Sequence, residues 1–301
     1  MRIGIDLGGT KIEAILMGPA SQILARERLP TPRTDYEGTL ASLHELVQRM
    51  ERAAGKTGLP VGIGTPGARS PATGLMKNCN STCLNGKPLK EDLERRLGRA
   101  IKIANDADCL ALSEASDGAA AGARCVFAII LGTGCGGGLV FNGQLVTGPN
   151  AIGGEWGHNS LPWPRPEWGE VPGPKGWDGR YGSIEAYVSG PGINEDHARV
   201  TGEQKSGEEI VKAAEAGDEK ANATLARFED RLARALSSLI NVIDPDVIVA
   251  GGGVSRVMRI YKNVPALWDQ WVFSDRVDTR FVPAMHGDSS GVRGAAWLNP
   301  E

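Results

Sequence analysis

Residues 3–11 read Ile3-Gly4-Ile5-Asp6-Leu7-Gly8-Gly9-Thr10-Lys11, a short apolar strand that empties into two glycines, a hydroxyl and a lysine. Glycine lets the backbone come close to a ligand, so N–H groups here can meet phosphate oxygens while Thr10 and Lys11 add donors and charge. The same residues also suit a tight hairpin with an exposed lysine, and the two readings are compatible. A second strand-to-glycine unit stands at Phe127-Ala128-Ile129-Ile130-Leu131-Gly132-Thr133-Gly134-Cys135-Gly136-Gly137-Gly138. Two such turns in one chain point to a clamp around a nucleotide. Neither is a G-x-x-x-x-G-K-[ST] loop or a G-x-G-x-x-G opening a helix, so Walker-type and dinucleotide-binding folds lose support.

Working outward, residues 2–8, 11–17 and 22–29 read as a three-stranded meander, with turns at Gly8-Gly9 and Gly18-Pro19. Leu40, Leu43, Leu46, Val47 and Met50 fall at helical spacing over 36–54, and Val61-Gly62-Ile63-Gly64 resumes a strand. After a polar loop over 64–88, a helix at 89–98 precedes the strand Ala100–Ala104, and a second helix runs to Ala119. Leu225, Phe228, Leu232, Leu236, Leu239, Ile240 and Ile243 mark a long amphipathic helix. It leads to the strand Asp246–Ala250 and to Gly251-Gly252-Gly253. This alternation predicts an α/β protein. The segment 148–192, rich in Gly, Pro and Trp, has neither period; long irregular inserts of this kind are usually functional or mobile.

The chain has 301 residues, 41% of them hydrophobic, and a formal net charge of −3. That length favours two lobes, and the charge gives no basic footprint for nucleic acid. The apolar stretch before Asp6 is too short for a signal-peptide core and no uncharged run suits a membrane span, so no membrane partner is expected and the cytoplasm is the default location. The five cysteines, Cys79, Cys83, Cys109, Cys125 and Cys135, read as reduced thiols. Cys79 and Cys83 lack a second pair with zinc-ligand spacing.

Asn105-Asp106 falls where a strand ends and a helix begins. By local sequence Asp106 is a helix cap; its chemical use would be to accept a proton from an attacking hydroxyl while Asn105 holds a neighbouring one. Glu155, His158 and Asn159 lie within five residues of an irregular loop, with Glu185 further on. These mixed donors and acceptors suit a polyol, and they equally suit a structural histidine with solvated acids. Trp163, Trp168 and Trp177 are read as packing residues rather than stacking platforms for a sugar.

Taken in order, Asp6-Leu7-Gly8-Gly9-Thr10-Lys11, Asn105-Asp106, Leu131-Gly132-Thr133-Gly134, Glu155-Trp156-Gly157-His158-Asn159, Gly251-Gly252-Gly253 and His286-Gly287-Asp288-Ser289-Ser290-Gly291 resemble the ROK family of bacterial sugar kinases and repressors. Within that family, Lys77–Thr82, Leu84–Gly86 and His286–Trp297 look most like the manno(fructo)kinases. The resemblance implies an actin-like ATPase (ribonuclease H-like) fold, with two α/β lobes closing on ATP and sugar. The lobes expected are 1–105 with 289–301, and 106–288, the latter carrying the sugar-binding insert 148–192.

By the same resemblance Asp106 is the catalytic base, and Asn80, Asn105, Asp106, Glu155, His158 and Glu185 surround the sugar. Gly8, Gly9, Thr10 and Lys11 face the phosphates with Thr133 and Gly134, while Gly252 and Gly253 lie by the adenosine. Asp6 serves magnesium, directly or through water. The implied reaction transfers phosphate from ATP to the 6-hydroxyl of a hexose, fructose first, with mannose or glucose as further substrates. Glucokinase or N-acetylhexosamine kinase activity is the alternative, and a homodimer is the implied assembly. A sugar-responsive repressor is disfavoured, since no helix-turn-helix is read before Ile3. Family kinases commonly carry C-x-C-G-x-x-G-C before the glutamate as zinc ligands. Here the frame reads Gly176-Trp177-Asp178-Gly179-Arg180-Tyr181-Gly182-Ser183-Ile184-Glu185, without a thiolate, so no structural zinc is expected.

Overall fold

The computed structural model describes residues 1–79 and 81–300; Asn80, expected to touch sugar, lies outside the described residues. β1 (Arg2–Leu7), β2 (Lys11–Met17) and β3 (Ile23–Pro30) form the antiparallel meander, with Ile5 opposite Ala14 and Leu7 opposite Ile12. β1 and β2 are covered on both faces, so they read as apolar runs rather than alternations. The edge strand β3 alternates half-buried and exposed positions.

α1 (Tyr36–Ala54) begins where the Asp35 carboxylate accepts the Gly38 N–H at 3.0 Å and ends at Gly55 with φ 62°. Its stripe of Leu40, Leu43, Leu46, Val47 and Met50 packs with Ile3, Ile5, Ile12 and Leu16 in one core. β4 (Val61–Thr65) then pairs parallel to β1, the short β5 (Ala68–Arg69) and β6 (Met76–Lys77) pair with each other, and α2 (Leu89–Leu97) leads to β7 (Lys102–Asn105) beside β4. The resulting order is β3-β2-β1-β4-β7, and α3 (Asp106–Asp117) leaves β7 with no intervening residue.

The pattern restarts with β8 (Cys125–Leu131), β9 (Cys135–Phe141) and β10 (Gln144–Leu145). The irregular stretch follows, then α4 (Glu185–Val188), α5 (Gly190–Thr201), α6 (Gly207–Glu215) and α7 (Glu219–Ile243). β11 (Val247–Gly251), α8 (Ile260–Asn263), β12 (Arg280–Pro283) and α9 (Ser290–Trp297) complete the chain, and the second sheet has the order β10-β9-β8-β11-β12. α5, α6 and α9 were not read from sequence: α5 and α9 carry no strong apolar stripe, and α6, which buries Ile210 and Ala214 on one face, is only nine residues long.

The chain divides into two compact units: Met1–Gly122 with Gly138–Gly153 and Met285–Glu301, and Ala123–Gly137 with Gly154–Ala284. The expected division at 105/106 and 288/289 differs because α3 packs against α9 and β10, and α9 in turn lies on β1, β2 and β4. Two glycines allow this close approach. A Cβ on Gly294 would overlap the Cys109 carbonyl of α3, and one on Gly62 would overlap the Ala295 carbonyl. Among the described residues, no helix is long and apolar enough to cross a membrane.

In the second unit α7 starts from Asp218, which accepts the Ala221 N–H at 2.8 Å, and buries the expected stripe from Leu225 to Ile240. It also buries Arg231 and Arg234 against the fully buried Glu170 of the insert. Arg231 donates to Glu170 at 2.7 Å and to Asp196 at 3.0 Å; Arg234 donates to Glu170 at 2.9 and 3.0 Å and to Asp230 at 2.8 Å. Burial opposes ionisation of Glu170, but the Arg234 and Arg231 hydrogen bonds outweigh it and hold the carboxyl below the usual range.

Candidate active site

In the first unit the β1–β2 turn is a hairpin and an exposed glycine turn at once. Gly9, Thr10 and Lys11 are exposed, a Cβ on Gly9 would meet open space, and Thr31 braces the turn through Oγ1 on the Gly8 carbonyl at 2.7 Å. The Lys11 ammonium stands 3.8 Å from the buried Glu13 carboxylate, which also takes Arg28 at 2.8 Å and Arg26 at 3.4 Å.

At the β7–α3 junction, the Asn105 side-chain oxygen accepts the Asp108 N–H at 2.6 Å. The cap is therefore Asn105, and the capping role weighed for Asp106 passes to its neighbour. Asp106 occupies the first helical position, where Oδ1 accepts the Ala107 N–H at 2.9 Å. Its carboxylate is reachable by solvent yet has protein on most sides. That desolvation raises its pKa above the ordinary value, partly offset by the Ala107 and Asp106 backbone N–H groups. A solvent-reachable carboxyl with a raised pKa is a stronger base than an ordinary aspartate and is suited to accepting a proton.

Asp6, near the end of β1, is the second such group. Desolvation, then the Asp106 and Glu13 charges, raise its pKa from 3.8 to about 6, with Lys11 opposing. Glycines stand around this carboxylate: a Cβ on Gly291 would lie 3.3 Å from Asp6 Oδ2. Like-charged carboxyls set beside a glycine turn suit a hard divalent cation that keeps most of its water and binds phosphate oxygens, the habit of Mg²⁺.

The Asp6 shift has a consequence for stability. A carboxyl whose folded pKa lies above its unfolded value favours folding at low pH and loses that contribution as pH rises from 3.8 through 6. In metal-free buffer Asp6→Asn should therefore melt higher than the parent protein at pH 8, by the equivalent of about 1–3 kcal/mol, with the gain vanishing by about pH 4. Thermal melts across pH check this, and equal melting at pH 8 would count against it.

In the second unit the β8–β9 turn closes on itself, with the Gly132 N–H donating to the Gly134 carbonyl at 3.0 Å. The Gly132 carbonyl accepts the N–H of Gly190, the first residue of α5, at 2.8 Å. Gly252 has φ 86°, a conformation open mainly to glycine, and a Cβ there would overlap the Leu131 carbonyl. The Ser255 hydroxyl closes the Gly252-Gly253 turn on the Gly252 carbonyl at 2.7 Å. Thr133, Gly134, Gly252 and Gly253 thus lie just beyond the C-terminal ends of β8 and β11, parallel neighbours in the middle of the second sheet.

Glu155, His158 and Glu185 gather in the same unit. The His158 ring nitrogens face two carboxylates, Glu155 at 3.7 Å and Asp178 at 3.6 Å. Glu185 accepts the Cys135 N–H at 2.8 Å through one oxygen and the Trp177 indole N–H at 2.8 Å through the other. The buried Trp156 secures the Glu155–His158 turn, donating to the Gly136 carbonyl at 2.9 Å and meeting Phe127 edge-on at 6.4 Å. Its role was not read from sequence, although it lies inside the motif.

The frame without thiolates is held by other means. Ser160 bridges to Ser183 and Lys175 to Tyr181, the Gly176 N–H donates to the Arg180 carbonyl at 2.7 Å, and the Ile184 N–H donates to the Asn159 carbonyl at 2.8 Å. Arg234 donates to the Pro162 and Trp163 carbonyls at 3.0 and 2.9 Å. Trp163 stacks on Trp271 at 5.0 Å, and the Arg165 guanidinium lies 4.6 Å over Trp168, so both indoles pack as expected. Among the described residues no group of three or more His, Cys, Asp or Glu is placed to hold a metal ion.

Two mixed sheets, each opened by a strand–glycine–strand hairpin and followed by helices, define the actin-like ATPase fold in two α/β lobes. The chain belongs to the ROK family, whose model matches residues 2–301. It is 39% identical over 303 residues to an N-acetyl-D-glucosamine kinase of Vibrio vulnificus, covering 99% of each chain. The same identity holds over 301 residues to the enzyme so named in Pectobacterium atrosepticum, again with 99% of each covered. Among solved structures it resembles the ROK hexokinase of Thermus thermophilus with a TM-score of 0.87 at 30% identity, covering 98% of this chain and 96% of that one.

Proposed function

We propose that this protein is an ATP-dependent sugar kinase acting on N-acetylhexosamines, N-acetyl-D-glucosamine first, at the 6-hydroxyl. The observation that carries the reading is 39% identity along 99% of both chains to an enzyme of that name. The fructose preference drawn from 77–86 and 286–297 finds no counterpart in these relatives and gives way to the N-acetylhexosamine alternative.

In this reading Asp106 aligns the 6-hydroxyl and takes its proton as the new O–P bond forms, and its raised pKa makes it a stronger base than an ordinary aspartate. Asn105 gives its side-chain oxygen to the helix, which leaves its amide group to orient a neighbouring hydroxyl. Glu155, His158 and Glu185 hold ring hydroxyls. Gly8, Gly9, Thr10, Lys11, Thr133 and Gly134 receive the phosphates, and Gly252 and Gly253 flank the adenosine. Mg²⁺, served by Asp6 directly or through water, would neutralise phosphate charge. A homodimer in the cytoplasm completes the proposal.

The test is a panel of N-acetylglucosamine, N-acetylmannosamine, glucose, mannose and fructose with coupled ADP detection. The expected result is the highest kcat/KM for N-acetylglucosamine. A higher value for fructose or glucose would remove the acetamido sugar from the proposal while leaving a sugar kinase.

A further inference from the structure

Trp177 is 73% exposed, yet it is not loose. Its indole N–H is tied to Glu185 Oε1 at 2.8 Å, and its ring meets the His158 imidazole edge-on, centroids 5.8 Å apart at 77°. The next residue, Asp178, is anchored as well: its Oδ1 accepts the Arg180 N–H at 3.0 Å, and its Oδ2 faces His158 Nδ1. An indole held by its polar edge keeps a broad apolar face toward water, which is favourable to cover and wasteful to leave. The three other described tryptophans of the 150–180 stretch are used differently, Trp156 buried, Trp163 stacked and Trp168 covered by arginines.

We infer that Trp177 is a sugar-specificity residue, its N–H setting the Glu185 carboxylate and its open face receiving the acetyl methyl of an N-acetylhexosamine. The inference rests on the function proposed above for Glu185 and His158. A carboxylate already accepting two N–H groups retains lone pairs for a sugar hydroxyl and is fixed in orientation, so less freedom is lost on binding. Covering the ring face with a methyl group adds affinity that an unsubstituted hexose cannot match, since glucose has only a hydroxyl at that carbon. Trp177 touches no reacting atom in this scheme, so its removal acts on sugar binding and not on phosphoryl transfer.

The experiment compares Trp177→Ala and Trp177→Phe with the parent enzyme, using N-acetylglucosamine and glucose as variable substrates, with circular dichroism to verify folding. Trp177→Ala should raise KM for N-acetylglucosamine about tenfold, leave kcat and the KM for ATP within about twofold, and reduce the preference over glucose. Trp177→Phe, which keeps a ring and loses the N–H, should retain most of that preference with a smaller rise in KM. Sugar titration without ATP should also change the tryptophan fluorescence of the parent protein and not that of Trp177→Phe. Unchanged KM and preference in Trp177→Ala, or an equal loss on both sugars, would overturn the inference. A parent enzyme that turns over no N-acetylhexosamine would instead defeat the function on which it rests, and the inference with it.

Discussion

Asp106→Asn is expected to lower kcat by about a thousandfold, within the range by which a positioned general base accelerates proton transfer. The KM values for sugar and ATP should stay within a few-fold, because Asn keeps the side-chain oxygen that accepts the Ala107 N–H and the helix cap belongs to Asn105. The variant should fold normally: a carboxyl with a raised pKa is a group whose ionisation the fold opposes. The pH profile supplies a second check. The base works only when deprotonated, so kcat of the parent enzyme should rise with pH through a pKa above the ordinary aspartate value and level off, while the variant loses that limb. A variant within tenfold of the parent kcat would remove Asp106 from the role.

Arg234→Met is expected to have the largest effect on stability, about 3–5 kcal/mol, because it leaves Glu170 and Asp230 buried with one cation fewer. Urea unfolding would measure it. The loss should reach the site as well, since Arg234 also holds the Pro162 and Trp163 carbonyls, a few residues from His158 and Ser160. A rise in sugar KM larger than any fall in kcat is the expected signature. Glu170 is held below its usual pKa, so the stability it contributes is present above the unfolded carboxyl value and is lost as pH falls through the folded one. The Arg234→Met variant should accordingly show a weaker dependence of stability on acid pH than the parent.

The parts of the fold legible in sequence were those whose signals are local. β1, β2 and β8 announced themselves as apolar runs ending in glycine, and α1 and α7 by residues recurring every third or fourth position. α9 was not legible because its surface is made of Gly291, Gly294, Ala295 and Ala296, small residues chosen for contact with α3 and β4 rather than for an apolar stripe. The insert was opaque for a different reason: its bonds are distant in sequence. Glu170 meets an arginine 64 residues away, which no period reports.

The site shows the same division. Asp6, Asp106, Glu155, His158 and Glu185 are proposed from motif order, while the choice of cap at 105/106 escaped because Asn and Asp cap helices about equally well. Trp177 was read as packing because exposure is invisible in a residue type. The fructose preference gains no support from the relatives, which fit the N-acetylhexosamine alternative better, because specificity depends on pocket shape and segments as short as 77–86 and 286–297 carry little of it.

The most direct test of the central claim is to identify the product. Purified protein incubated with ATP, Mg²⁺ and N-acetyl-D-glucosamine should release one ADP per sugar consumed, and phosphorus–proton correlation NMR should join the new phosphate to the two C6 protons. ADP release without a sugar phosphate, or a phosphate on another carbon, would contradict the account.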